Sequence, residues 1–244
     1  MLGAAVADPP AREPGYFGKI VGFPDFVSRR LPRSFLEPWD DWLQQSVLSS
    51  QERLGVAWHD TYMTSPIWRF LLSSSTCGPD AWAGVLMPSV DRVGRHFPFT
   101  LAVGMPHACA RLAFLTESAW FEELEQLALS TLDEPFDLDL FDASLQRLVP
   151  PAPAGTVVTR LRANQNNTVS WCFGLASVAA LEPSLPAIAE SLVEDALDRH
   201  TFWWTSGSDK VMPCLLVFHG LPSAASYAAL LDGNWARSGW VNWL

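Results

Sequence analysis

Cysteine is sparse in this 244-residue chain: Cys77, Cys109, Cys172 and Cys214 stand far apart, with no C-x-x-C pair and no histidine at ligand spacing. This excludes a disulfide-built scaffold and a structural zinc site. No apolar run approaches the ~18 residues of a membrane helix, so membrane insertion is not expected. Basic charge is also short, with 16 Lys and Arg against 26 Asp and Glu and a formal net charge of −10. Such a chain repels phosphate backbones unless its cations are segregated, and only Arg29, Arg30 and Arg33 and the pair Arg92 and Arg95 cluster; nucleic acid is not an expected partner. Residues 1–14 lack a basic start followed by an apolar stretch. They read as a flexible lead-in rather than a secretory signal, which makes the cytoplasm the expected location. No G-x-S-x-G, H-E-x-x-H or phosphate-loop motif occurs, and the five histidines have no i, i+4 partners. No metal, cofactor or catalytic residue is therefore expected.

What is present is a globular composition, 49% hydrophobic and 17% charged, which suits a buried core rather than a disordered tail. The twelve tryptophans are numerous enough that some are expected to face a partner while most fill the core. From Ser34, read as a cap, with Pro38 in the first turn, Trp39, Trp42, Leu43, Ser46 and Val47 share one helical face as far as Gly55. Apolar runs at 67–72, 82–87 and 97–103 predict an antiparallel meander, and the near-continuous apolar character of the outer two predicts central strands covered on both faces. Helices are predicted over 117–132 and 142–148, the latter capped by Asp142, and over 184–199 with Ile188, Leu192 and Ala196 inward. Strands are predicted at 168–173, 202–205 and 212–218, and a last helix spans 223–231 before Gly233. The fold class is α/β (α+β), a central, largely antiparallel sheet flanked by helices. One domain covers residues 15–244, with a possible internal boundary in the proline-rich 150–155 segment.

Three stretches carry the functional signal. The opening one, Gly15-Tyr16-Phe17-Gly18-Lys19-Ile20-Val21-Gly22-Phe23-Pro24-Asp25-Phe26, closes on Arg29 and Arg30; its glycines and prolines specify an irregular path that either shapes a surface or forms an edge strand and turn. The second places Asp91, Arg92, Arg95 and His96 within six residues between two strands. Arginine forks suit carboxylate or phosphate ligands there, and the alternative is a solvated turn with a local ion pair. In an enzymatic reading His96 is the base and Ser89 or Cys109 the nucleophile. The third is Trp203-Trp204-Thr205-Ser206-Gly207-Ser208-Asp209-Lys210, whose outer indole is either a partner anchor or packed under a helix.

All three blocks resemble those of the TagF (ImpM-like) proteins associated with bacterial type VI secretion. The opening run matches a Gly-Tyr-Phe-Gly-Lys-x-x-Gly-x-x-Asp-Phe pattern, and residues 84–101 match the central signature. The tryptophan block is similar too, with Thr201-Phe202 where the family carries Ser-Leu. The resemblance implies a cytoplasmic accessory protein without enzymatic activity, a post-translational negative regulator of secretion that acts by protein–protein binding and engages a forkhead-associated scaffold. It makes Asp25, Arg29, Arg30, Asp91, Arg92, Arg95, Trp203, Trp204, Ser206 and Asp209 the partner-binding candidates. The alternatives are an enzyme with a site at the Asp91–Arg95–His96 turn, or a structural component of the secretion machine.

Overall fold

The structure is a computed structural model that describes residues 13–105, 111–151, 159–165, 168–197 and 199–241. Residues 1–12 of the expected lead-in, most of the 150–155 boundary and Cys109 lie outside the described residues. The elements in order are β1 (Gly15–Gly18), β2 (Val27–Arg29), α1 (Arg33–Leu54), α2 (Trp58–Met63), β3 (Trp68–Leu72), β4 (Ala81–Met87), β5 (Phe99–Met105), α3 (Ser118–Ser130), α4 (Leu138–Arg147), β6 (Thr159–Gln165), β7 (Thr168–Gly174), α5 (Leu181–Ala196), β8 (His200–Thr205), β9 (Cys214–His219) and α6 (Ala224–Asp232). Seven strands form one antiparallel sheet in the order β2-β1-β5-β4-β3-β8-β9, and β6 and β7 form a separate hairpin.

The expected meander is β3-β4-β5, and its apolar runs have the two-sided burial that continuous hydrophobicity requires. On β4, Ala81, Ala83, Val85 and Met87 join one core with Phe121 and Leu124 of α3, while Trp82 and Leu86 join another with Trp39 and Leu43 of α1. Gly84 lies between them on the α1 face, where a Cβ would come within 2.1 Å of the Leu101 carbonyl oxygen and 2.7 Å of Phe70 Cζ. Only glycine leaves room for that backbone approach.

Six of the twelve tryptophans are buried in the α1-side core. Trp39, Trp42, Phe70 and Trp203 form a continuous aromatic cluster in which Trp39 and Trp203 stack at 6.0 Å between centroids. Buried indole N–H groups need acceptors: Trp39 donates to Thr100 Oγ1 at 3.0 Å, Trp42 to the Pro222 carbonyl at 2.7 Å and Trp68 to the Leu230 carbonyl at 3.0 Å. These bonds tie α1 and α6 to the same face of the sheet.

Several local expectations are corrected. Pro32, not Ser34, stands at the start of α1, with no side-chain cap, and Pro38 falls beyond the first turn. The cap of the fourth helix lies five residues before Asp142, at Asp137, whose Oδ1 accepts from the Asp139 and Leu140 amides at 2.9 and 3.0 Å. On α5, Leu192 and Ala196 are exposed and Ile188 half-buried, whereas Ser184 and Glu190 are buried. The carboxylate of Glu190 accepts from the Leu112 amide at 3.5 Å, a polar contact that helical periodicity does not register. Both α2 and β6 go unmarked in the sequence: α2 is only six residues long, and β6 carries no apolar run.

Candidate functional site

The opening stretch and the central turn fold into one corner of the molecule. β1 pairs with β5 and β2, and the loop between β1 and β2 reaches across to residues 91–95. Gly18 permits this at φ 138°, with its Cα directed so closely at the Pro98 carbonyl oxygen that a Cβ would lie 2.2 Å away. The Arg92 amide donates to the Phe23 carbonyl at 3.0 Å, and the Arg95 guanidinium donates to the Pro24 carbonyl.

Asp91 organises the turn. Its Oδ1 accepts from the Val93 and Arg95 amides at 3.0 and 2.8 Å, and its Oδ2 meets Arg95 Nε at 2.6 Å and Lys19 Nζ at 3.0 Å. The side chain is fully enclosed. Burial, the largest single influence, would raise its pKa; the Arg95 amide, Lys19, the Arg95 guanidinium and the Val93 amide overcome this and hold it well below the usual carboxylate range. Asp91 is thus an internal anchor that stays ionised at neutral pH. Lys19, which belongs to the opening motif, is its counter-ion.

Helix α2 pins the corner from the other side. Tyr62 Oη donates to the Ser89 carbonyl at 3.0 Å and accepts the Ser89 amide at 3.1 Å, while Ser89 Oγ donates to the Lys19 carbonyl at 2.7 Å. Burial raises the Tyr62 phenol, so it remains a donor. His59 Nδ1 and His96 Nε2 share a hydrogen bond at 3.0 Å, and the His96 ring packs edge-on against Trp58 and Tyr62. His96 is held below the ordinary histidine value by burial first, then by His59 and Lys19, with Asp91 opposing. On the turn at 206–210, Lys210 Nζ donates to Thr61 Oγ1 at 2.8 Å, which brings the third block against α2 as well. His59, Lys19, Tyr62 and α2 were not singled out by sequence reasoning. Lys19 lay within a quoted motif, but nothing in the sequence relates His59 to a residue 37 positions away.

The outer surface of this corner is apolar and cationic. Phe26 is 48% exposed and Val93 65%, and Val21 in the β1–β2 loop and Met63 at the end of α2 are also exposed. Phe26 stacks on Phe17 at 5.5 Å and meets Phe97 edge-on at 4.8 Å, so its ring is fixed while half open to solvent. Arg92 is exposed, and Asp25 sits at the rim 3.7 Å from Arg95.

The other candidates lie elsewhere. Arg29 and Arg30 clamp Asp142 of α4 at 2.8 and 2.6 Å, and Arg30 Nε donates to the Pro14 carbonyl at 2.7 Å. Burial would raise the Asp142 pKa, but Arg30 and Arg29 carry it below its ordinary value. The arginine pair is a strut between β2 and α4. Trp203 is fully buried, which removes it from any binding surface, and Trp204 packs half-buried against Phe121 of α3 at 4.7 Å. Ser206 and Asp209 are exposed on their turn. The Ser89 hydroxyl is committed to a backbone carbonyl, and Cys109 lies outside the described residues. Among the described residues, no group of three potential ligands could hold a metal ion, and no helix is long and apolar enough to cross a membrane.

No curated protein matches the sequence. Among solved structures, the chain is similar to the crystal structure of PA0076 from Pseudomonas aeruginosa PAO1, at 35% identity and a TM-score of 0.78 over 95% of this chain and 98% of that one. Residues 15–148 match the model of the TagF N-terminal domain, described as type VI secretion system-associated, and that segment contains the whole corner built on Lys19 and Asp91. The chain belongs to the TagF family of type VI secretion-associated proteins.

Proposed function

We propose that the protein is a cytoplasmic, non-enzymatic negative regulator of a type VI secretion system, acting after translation by binding another protein, a forkhead-associated scaffold. The observation that carries this reading is the corner where two motif blocks meet: a rigid, internally neutralised base under a surface of exposed Phe26, Val93, Val21 and Arg92. Ring, aliphatic and arginine side chains on a fixed backbone are what a protein interface core uses. The same geometry favours binding over catalysis, because Asp91 is saturated with backbone and side-chain donors and Ser89 is bonded to a carbonyl, so each serves the local architecture.

Secretion of a tube component tests the regulatory part. Deletion raises secretion and overproduction of the wild type suppresses it, while Phe26→Ala/Arg92→Ala fails to suppress at equal abundance. Co-purification with the scaffold tests the partner, and the double variant lowers recovery about tenfold or more, the loss of a central anchor. Unchanged secretion in every strain would overturn the regulatory reading; undiminished suppression by the variant would remove the corner from the interface.

A further inference from the structure

At the opposite edge of the sheet, outside the segment shared with the family model, the C-terminal end of α6 borders a hollow of about 850 Å³. Its walls include Leu216 of β9, Asp232, Trp235, Trp240 and Val241. Trp240 is 38% exposed, yet its ring is held in place, 5.6 Å from Trp235 and 5.7 Å from Phe218 between centroids. Asp232 is mostly enclosed. Its Oδ1 accepts from the Asn234 amide at 2.8 Å, while among the described residues its Oδ2 has only Arg237 at 3.9 Å, beyond hydrogen-bond distance and itself half exposed. α6 ends at Gly233 in the left-handed conformation, so the negative end of the helix dipole points into the same region.

We infer that this hollow receives an arginine side chain of a partner protein. The guanidinium would bond Asp232 Oδ2 and lie against the Trp240 indole, with the flanking partner residues on the exposed Val241. A carboxylate, a helix C-terminus and an indole face all favour a cation, and each of the first two repels an anion. Arginine fits better than lysine because its planar fork bonds a carboxylate while stacking on an aromatic ring and is weakly hydrated. The formal charge of −10 steers a basic partner toward the chain. Arg237 is a loosely held internal competitor for the same carboxylate.

The test follows the indole N–H resonances of Trp235 and Trp240 in the full ¹⁵N-labelled chain as N-acetyl-arginine amide is added, with N-acetyl-citrulline amide as the neutral isostere. Saturable shifts are expected with the arginine compound, and affinity falls about fivefold or more with citrulline, with Asp232→Asn and with Trp240→Leu. Asp232→Asn keeps the oxygen that serves Asn234, and a thermal melt checks that the fold is retained. Arg237→Ala strengthens binding by removing the competitor. An acetyl-Ala-Arg-Ala amide binds more tightly than the single residue, through its flanks. No saturation up to tens of millimolar, an equal response to citrulline, or indifference to Asp232→Asn overturns the site; a tripeptide no tighter than the single residue overturns the protein partner. None of these readouts depends on secretion.

Discussion

Lys19 Nζ lies 3.0 Å from Asp91 Oδ2, both side chains are withdrawn from water, and the two residues come from blocks 72 positions apart in the chain. A buried pair of this kind is not a source of stability by itself, but removing one member leaves the other uncompensated. Asp91→Ala therefore lowers the thermal midpoint and releases the 91–95 turn from the β1–β2 loop, whereas Asp25→Ala at the exposed rim leaves the midpoint unchanged. The sign with pH follows from the depressed folded pKa: the contribution is fully present above the ordinary aspartate value of about 3.9 and is lost as pH falls through the folded value. Urea midpoints of the wild type and Asp91→Asn, measured from neutral pH downward, converge in acid if this is right.

The His59–His96 pair gives a second, separate pH dependence. Folding depresses His96, so the unfolded chain binds the proton more readily as pH drops through about 6.5. Stability is greatest above that value and declines below it until the folded pKa is passed. His96→Gln flattens this segment of the curve, and imidazole resonances followed by NMR place the His96 midpoint below the ordinary one.

Two glycines of the shared blocks behave oppositely. Gly84→Ala drives a methyl group into the Leu101 carbonyl and costs about 3 kcal/mol by denaturant unfolding. Gly22→Ala meets open space and changes stability by less than ~0.5 kcal/mol. A binding defect in Gly22→Ala would then report on the surface alone.

The arginines separate in the same way. Arg30→Ala removes the less exposed of the two arginine partners of Asp142 and lowers the thermal midpoint, with binding reduced only in proportion to unfolding. Arg92→Ala melts like the wild type and weakens recovery of the scaffold.

The sheet and its helices were legible because the central strands are apolar on both faces and α1 and α3 carry wide hydrophobic stripes. Where the reading failed, short-range polar bonds had decided the matter. Asp137 rather than Asp142 caps α4, and Asp142 is claimed by Arg29 of β2 and Arg30 just after it, a contact with no trace in local spacing. The turn at 91–95 was legible as a concentration of charged residues. Its division of labour was not, because which of Asp91, Arg92 and Arg95 points inward depends on Lys19 and Pro24, and only the fold brings those near. The tryptophan pair was legible as an alternation, one ring to each face of β8, but the choice between partner and core rests on Phe121 of α3 and Trp39 of α1 lying in wait on either side.

The pairing of β3 with β8 has a consequence for where the protein can be cut. Sequence similarity to the family model stops at residue 148, yet β3 takes its neighbour from residues 200–205, and Trp203 completes the aromatic cluster over Phe70 and Trp39. A fragment ending at 148 would carry an unprotected strand edge in what is now the interior of the sheet, with a large aromatic surface laid open beside it. The limit of the recognisable motif is therefore not a limit of autonomous folding: the last 96 residues of the chain include the other half of a wall that the first 148 cannot close.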